Sequence, residues 1–108
     1  MTSTLKESDR LAASVAQTAN RITLADLQAK ITDAAYYRPD FAPHVTIAVL
    51  QTVNGFTLVG KSAPADPANF DPDAGRTFAY DDALRQLWAL EGYALRERMA
   101  ATKPAPDA

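Results

Sequence analysis

The dipeptide Asn54–Gly55 constrains the fold of this 108-residue chain more than any other feature. It lies between two runs, 44–53 and 56–62, that are rich in β-branched and apolar residues. Asn-Gly favours a two-residue hairpin loop, because both central residues of a type I′ turn need a positive φ angle. The chain is therefore predicted to form an antiparallel β-hairpin here, in a register in which Leu50 faces Val59.

Both faces of the predicted hairpin carry apolar side chains. Each face needs a cover, because a two-stranded ribbon is not stable alone in water. We expect one face to pack on helices and the other to pack against a second subunit or a third strand. The hairpin is thus the first indication that the protein forms a homo-oligomer.

An amphipathic helix is predicted before the hairpin. Thr23 and Asp26 have the spacing of a helix start. The helix must end before Pro39, because proline disfavours helical backbone at the residue that precedes it. Between these limits the apolar residues fall on one stripe at helical spacing: Leu24, Leu27, Ile31, Ala34 and Ala35.

A long helix is predicted after the hairpin, over residues 76–99, with Asp71 or Asp73 as its N-cap. We place Trp88 and Phe56 in the core, because large aromatic side chains bury much apolar surface there. At helical spacing, one broad face of this helix is apolar: Tyr80, Ala83, Leu84, Leu87, Trp88, Leu90, Ala94 and Leu95.

These elements predict an α+β fold with an amphipathic helix, an antiparallel β-hairpin and a long C-terminal helix. Residues 21–100 are assigned to a single domain. Residues 1–20 are predicted to be an N-terminal helical arm whose apolar face is mostly alanine, so the arm either packs on a partner or frays. The Ala- and Pro-rich residues 101–108 are predicted to be a disordered tail.

The composition argues against several classes of function. The chain has no cysteine and a single histidine, His44, so thiolate and multi-histidine metal sites are not expected. No catalytic motif is found. The formal net charge of −2 argues against a nucleic-acid-binding protein, and no apolar run approaches membrane-spanning length. We expect a cytoplasmic protein that is not an enzyme and needs no metal or cofactor.

Asn69, Arg76 and Arg85 form the candidate anion site. Arginine presents a planar fork of donors that suits phosphate oxygens. The start of the long helix adds unpaired amides and the positive end of the helix dipole. Among the aromatic residues that could stack on a base, which include Tyr36, Tyr80 joins this candidate site. In the alternative interpretation, Asn69 caps a turn and Arg85 is a solvated residue paired with Asp81.

Glu91 falls on the apolar face of the long helix. A carboxylate in that position must be paired or hydrogen-bonded, or it stays protonated. One interpretation is a structural role, in which Glu91 accepts backbone hydrogen bonds or pairs with Arg76 or Arg98. The other is a polar group that faces a ligand.

Short sequence blocks occur in a specific order within residues 21–99: Asn54-Gly55-Phe56, Gly60-x-Ser62-Ala63, Asn69-Phe70-Asp71 and Leu90-Glu91-Gly92-Tyr93. In this combination the chain resembles a widespread family of small phage and prophage proteins. The chain departs from the family pattern at Lys61 and Pro64, where relatives are expected to carry an acidic residue and a cysteine.

The resemblance implies a function in phage infection. The outline of the fold is also similar to that of the Thoeris anti-defence proteins, which are phage sponges that bind cyclic ADP-ribose or cyclic oligonucleotide signals without cleaving them. This similarity therefore implies a homo-oligomer that sequesters a nucleotide signal in the cytoplasm of an infected or lysogenic host. The alternative is a phage accessory protein or inhibitor that binds a host or defence protein.

Overall fold

The computed structural model describes residues 4–102. The strands form one antiparallel sheet in the order β1-β2-β3, and the long C-terminal helix packs across one face of it. The predicted α+β fold is therefore confirmed. In chain order the elements are α1 Thr4–Val15, α2 Leu24–Ala29, β1 Ile31–Tyr37, β2 Thr46–Thr52, β3 Thr57–Ser62, a short 3-10 helix Pro67–Asn69, and α3 Pro72–Thr102.

The segment predicted as the second half of the amphipathic helix is strand β1. The predicted start is confirmed, because Thr23 and Asp26 form a reciprocal capping box. The predicted end is wrong, because α2 stops at Ala29 and residues 31–37 pair with β2. These residues include Ile, Thr and two Tyr, which favour strands, and a third strand stabilises a hairpin that is marginal alone.

The hairpin loop contains three residues rather than the predicted two. Gly55 N–H donates to the carbonyl of Thr52, and Thr52 N–H donates to the carbonyl of Phe56, each at 2.9 Å. Gly55 has a φ of 86°, whereas Asn54, like every other non-glycine residue among 4–102, has no positive φ. A turn that is closed by one left-handed glycine belongs to the three-residue hairpin class.

This loop shifts the hairpin register by one residue from the prediction. Leu50 pairs with Leu58 rather than with Val59. Since side chains alternate between the two faces of a sheet, the shift buries both leucines and leaves Val59 53% exposed on the opposite face. Phe56, which was predicted to lie in the core, is 51% exposed beside the loop.

The N-cap of α3 is Asp71, one of the two predicted candidates. An Asp71 carboxylate oxygen accepts a hydrogen bond from Ala74 N–H at 2.9 Å, and Pro72 occupies the first helical position, where a missing N–H costs nothing. The helix extends to Thr102. The first two residues of the predicted disordered tail are therefore helical, and residues 103–108 lie outside the described part.

The core lies between the sheet and the helices. Trp88 is partly buried against it, and its indole N–H donates to the carbonyl of Ile22 at 2.9 Å. The predicted core position of Trp88 is thus confirmed, with a partner for its polar atom. The buried apolar residues are Leu5, Leu24, Leu27, Ala48, Leu50, Leu58, Ala79, Ala83, Leu84 and Leu87.

The N-terminal arm packs on its own chain. Leu5 of α1 is buried in the core. Asp9 lies 3.1 Å from the guanidinium of Arg21 and accepts a hydrogen bond from the backbone N–H of Leu24. In the structure the arm is thus helical over Thr4–Val15 and packs on the core of its own chain through Leu5.

The free edge of β3 is covered by side chains of α3. The side-chain amide of Gln86 donates to the Val59 carbonyl at 2.8 Å. The Asp82 carboxylate accepts from the Lys61 backbone N–H at 2.9 Å. Unpaired backbone groups at a sheet edge are a template for another strand, so these two contacts occupy part of that template.

The face of the sheet turned away from α3 is here called the outer face. None of its side chains is buried. The predicted third strand extends the sheet sideways and does not cover this face. Its members, taken from the strand register, are Asp33, Ala35, Tyr37, Ile47, Val49, Gln51, Thr57, Val59 and Lys61.

Gly60 marks the closest approach of α3 to the sheet. A methyl group at residue 60 would collide with the Ala79 carbonyl and lie 2.5 Å from the backbone nitrogen of Ala83. These are backbone atoms of a helix and cannot move aside as a flexible side chain can. The contact therefore requires a residue without a side chain.

We predict that Gly60→Ala lowers the free energy of unfolding by about 2–3 kcal/mol, as overpacked cores do. The matched control is Gly92→Ala in the same α3. Because nothing lies within 4 Å of an added methyl there, helix propensity should raise stability by about 0.5–1 kcal/mol. Urea denaturation of both variants measures the two effects. Equal effects of the two substitutions would contradict the close packing at Gly60.

Candidate functional site

The start of α3 borders a cleft that contains one of the predicted site residues. The cleft has about 380 Å³ of free space, part of it open to solvent. Asn69 lies at its rim, in the 3-10 helix that precedes α3. The lining residues are Ser62, Ala63, Pro64, Asn69, Phe70, Asp71, Ala74, Gly75 and Phe78.

The backbone donors of the first turn of α3 are largely occupied. Ala74 N–H donates to the Asp71 carboxylate, Gly75 N–H donates to the Asp71 carbonyl at 2.8 Å, and Pro72 has no N–H. A carboxylate thus already interacts with the positive end of the helix dipole. The predicted use of these amides to bind a phosphate is therefore not supported by the geometry.

A second surface lies on the β1 side of α3 and combines Tyr36, Arg76 and Tyr80. Arg76 and Tyr80 are one turn apart on α3, and Tyr36 of β1 is close enough to interact electrostatically with each of them. Tyr36 is 37% exposed and Tyr80 is half-buried. Arg76 also forms an ion pair with Asp73 on the same helix. We call this group the tyrosine–arginine surface.

Burial raises the pKa values of both phenols. For Tyr36 the desolvation is partly opposed by the positive charge of Arg76, which lowers its pKa, and Asp81 raises it. For Tyr80 the burial effect is reinforced by Tyr36 and Asp81. Both hydroxyls are therefore protonated at neutral pH and can donate hydrogen bonds to a ligand oxygen.

Arg38 lies beside the cleft. Its guanidinium lies over the ring of Phe70, 4.5 Å from the ring centroid, and its Nε donates to the carbonyl of Pro43 at 2.7 Å. Phe70 is also part of the cleft lining. The cleft and the tyrosine–arginine surface both lie at the N-terminal end of α3, and an arginine stacked on an aromatic ring borders the cleft.

Arg85 is not part of this arrangement. It follows Arg76 by nine residues, or two and a half helical turns, and so lies on the opposite side of α3. Its guanidinium donates to the hydroxyl of Thr4 in α1 at 2.8 Å. Arg76 and Tyr80 thus lie together on the tyrosine–arginine surface, and Asn69 lies at the cleft. Arg85 lies at neither of these two surfaces. Ligand binding by the four residues stays a prediction.

Glu91 is paired, as one interpretation of the sequence required, but with a partner that was not predicted. Its carboxylate lies 3.7 Å from the ammonium of Lys30, rather than beside Arg76 or Arg98. The pair borders a groove of about 330 Å³ between the hairpin loop and α3, with Val53 and Phe56 on its hairpin side. We call this feature the hairpin–helix groove.

Sequence reasoning missed Arg38 as a site residue, and it named Tyr36 only as one of several aromatic candidates for stacking, without placing it beside Arg76. Both belong to the segment around β1 that helical periodicity assigned to a helix. The signal that could have placed them was the strand propensity of residues 31–37. A strand at this position would have paired with the hairpin and brought its inward side chains towards α3.

Residues 4–102 contain neither of two further classes of site. No group of three or more His, Cys, Asp or Glu side chains there is arranged to hold a metal ion. Within the same range, no helix has the length and apolar character needed to cross a membrane.

Comparison with known proteins gives one family match. The model of the Phage protein (N4 Gp49/phage Sf6 gene 66) family matches residues 22–99. A search of the curated proteins found no match, and a search of the solved structures found none. The matched segment begins after α1 and includes the cleft, the tyrosine–arginine surface and most of α3.

The raised pKa values of Tyr36 and Tyr80 predict a loss of stability in alkali. In the unfolded chain a tyrosine titrates near pH 10, whereas these two keep their protons to higher pH when folded. Their contribution is complete below about pH 10 and is lost as the pH rises from there through the higher pKa of the folded state. Urea denaturation between about pH 8 and pH 11 measures the slope.

A Tyr36→Phe/Tyr80→Phe variant isolates the two phenols from other groups that titrate in alkali. Its free energy of unfolding should fall less steeply with pH than that of the wild type. Arg76→Ala should raise the pKa of Tyr36 further, because a nearby positive charge is removed, and tyrosinate absorbance reports this change. Identical slopes in wild type and double variant would contradict the burial of these hydroxyls.

Proposed function

Since the matched residues form most of the chain, this protein belongs to the Phage protein (N4 Gp49/phage Sf6 gene 66) family, and we propose that it binds a cyclic nucleotide or cyclic ADP-ribose signal of host defence without cleaving it. By holding the signal, the protein would keep it from the host enzyme that responds to it. This proposal places the protein in the cytoplasm of the infected or lysogenic host, as a homo-oligomer.

The tyrosine–arginine surface is the observation that carries the proposal. Arg76 can pair with phosphate oxygens through its planar fork of donors. The rings of Tyr36 and Tyr80 offer stacking faces for a base, and their protonated hydroxyls offer hydrogen bonds. Together these groups supply the interactions that a nucleotide needs, within one turn of α3.

The adjoining cleft supports the same proposal. The part of it that can hold a ligand is about 140 Å³, below the roughly 300–1,000 Å³ of complete small-molecule sites, so the cleft would hold only part of a nucleotide. Its lining is mostly apolar, with Asn69 at the rim as a donor and acceptor. A ligand that spans Phe70 would contact both the cleft and Arg38. The similarity to the Thoeris anti-defence proteins, which the sequence suggested, points to the same class of ligand.

A second candidate function is binding to a host or defence protein, and the hairpin–helix groove favours it. Three apolar side chains at this groove are about half exposed or more: Val53, Phe56 and Leu90. Lys30 and Glu91 provide charges beside them. An apolar groove rimmed by polar groups is typical of a site for a protein segment.

Isothermal titration calorimetry tests the first proposal. The ligands are cyclic ADP-ribose isomers and cyclic di- and trinucleotides, and intact ligand should be recovered afterwards. We expect one of them to bind, and Arg76→Ala to weaken its binding roughly 10- to 100-fold, as loss of a charge-assisted hydrogen bond does. Arg96→Ala, an exposed arginine later in α3, is the matched control. No heat from any ligand would contradict the proposal.

Co-purification from infected host cells tests the second candidate. If a protein binds the hairpin–helix groove, Leu90→Asp should abolish its recovery with the phage protein. Leu11→Asp introduces the same charge at an exposed leucine in α1 and should leave recovery unchanged. A partner that both variants retain would rule out the groove as its site.

A further inference from the structure

The outer face of the sheet combines an apolar centre with two charges at opposite corners. Its rows follow from the strand register. The middle row is apolar and consists of Ala35, Val49 and Val59. The row towards the end of β1 is Tyr37, Ile47 and Lys61, and the row towards its start is Asp33, Gln51 and Thr57.

The two charges at the corners have opposite signs. Lys61 lies on β3 and Asp33 on β1, so they are two strands apart and four residues apart along the strand direction. From standard sheet spacings, their Cα atoms are separated by about 16 Å. Val49, on the central strand, lies at the midpoint between them. Both charged side chains are exposed.

We propose that the outer faces of two copies of this chain pack against each other, with Asp33 of each copy paired to Lys61 of the other. The two-fold axis lies in the plane between the two sheets. It passes over Val49, perpendicular to the line from Asp33 to Lys61, and therefore places Asp33 of each copy opposite Lys61 of the other. The axis brings Val49 of one copy onto Val49 of the second. The strands of the two sheets then cross at a steep angle, as in orthogonal sheet packing.

The charge pattern is the reason to assign a second copy to this face. A two-fold interface uses the same patch on both subunits, so the patch must be complementary to itself. An apolar centre with one positive and one negative corner meets this requirement in the arrangement described. A face with both charges of one sign would repel its own copy and would suit a partner of opposite charge.

The area of the outer face sets the expected affinity of the dimer. Three strands and five residues along each cover less area than the roughly 800 Å² per partner of a standard stable interface. We therefore expect a reversible dimer that dissociates on dilution. The inference does not depend on the ligand, because the outer face is the side of the sheet turned away from the tyrosine–arginine surface.

Sedimentation of the full chain over a range of concentrations tests the inference. The wild type should be a dimer at high concentration. Asp33→Lys brings two ammonium groups together at each corner pair, and Lys61→Asp brings two carboxylates together there. Each single variant should raise the dimer dissociation constant roughly tenfold or more, because two attractive pairs become repulsive. The double variant restores both pairs with reversed sign and should regain most of the wild-type affinity.

Control variants separate the effect of the Asp33–Lys61 pairs on dimerisation from the effects of net charge and of unfolding. Glu97→Lys and Arg96→Asp change the net charge equally but lie at exposed positions of α3, so both should dimerise as the wild type does. Recovery in the double variant also excludes unfolding, since it carries both substitutions. The inference is overturned if the wild type is monomeric throughout, if both single variants dimerise normally, or if the double variant fails to recover. If the wild type is monomeric, the outer face would instead be a binding site for a different protein.

Discussion

The direct contact of α3 with β3 at Gly60 determines the rest of the structure. Because no side chain separates the two backbones, the helix lies flat on the sheet and its buried residues meet Leu50 and Leu58. Burial of a leucine side chain contributes about 1.5–3 kcal/mol, so the core of this small chain depends on that close packing. The same contact brings Asp82 and Gln86 within reach of the β3 backbone.

The length of α3 separates the two surfaces discussed as binding sites. A helix of 31 residues is about 46 Å long, which exceeds the length of the strands beneath it. Its first turns pack on β2 and β3 and carry Arg76 and Tyr80. Its second half passes the hairpin loop and pairs Glu91 with Lys30. One rigid element therefore holds both surfaces at a fixed separation, which a flexible linker would not do.

Much of the fold was predictable from local signals, and the errors share one physical cause. The start of α2, the N-cap Asp71 and the long helix rest on contacts between near neighbours in sequence. The strand β1 and the hairpin register depend on pairing between distant segments, which outweighs weak helical periodicity and turn preference. The tyrosine–arginine surface was only half predictable, because Tyr36 reaches it through β1. The separation of Arg76 from Arg85, by contrast, follows from helical geometry alone.

The covered edge of β3 has a consequence for assembly by strand addition. If another chain joined this sheet through backbone hydrogen bonds, it would meet α3 side chains on part of the β3 edge, which favours joining at β1. A sheet that accepts strands on one side only can combine with one copy of itself and then has no further edge to offer. Growth into a filament needs two such edges. The side chains of Asp82 and Gln86 thus act against runaway polymerisation, independently of what the protein binds.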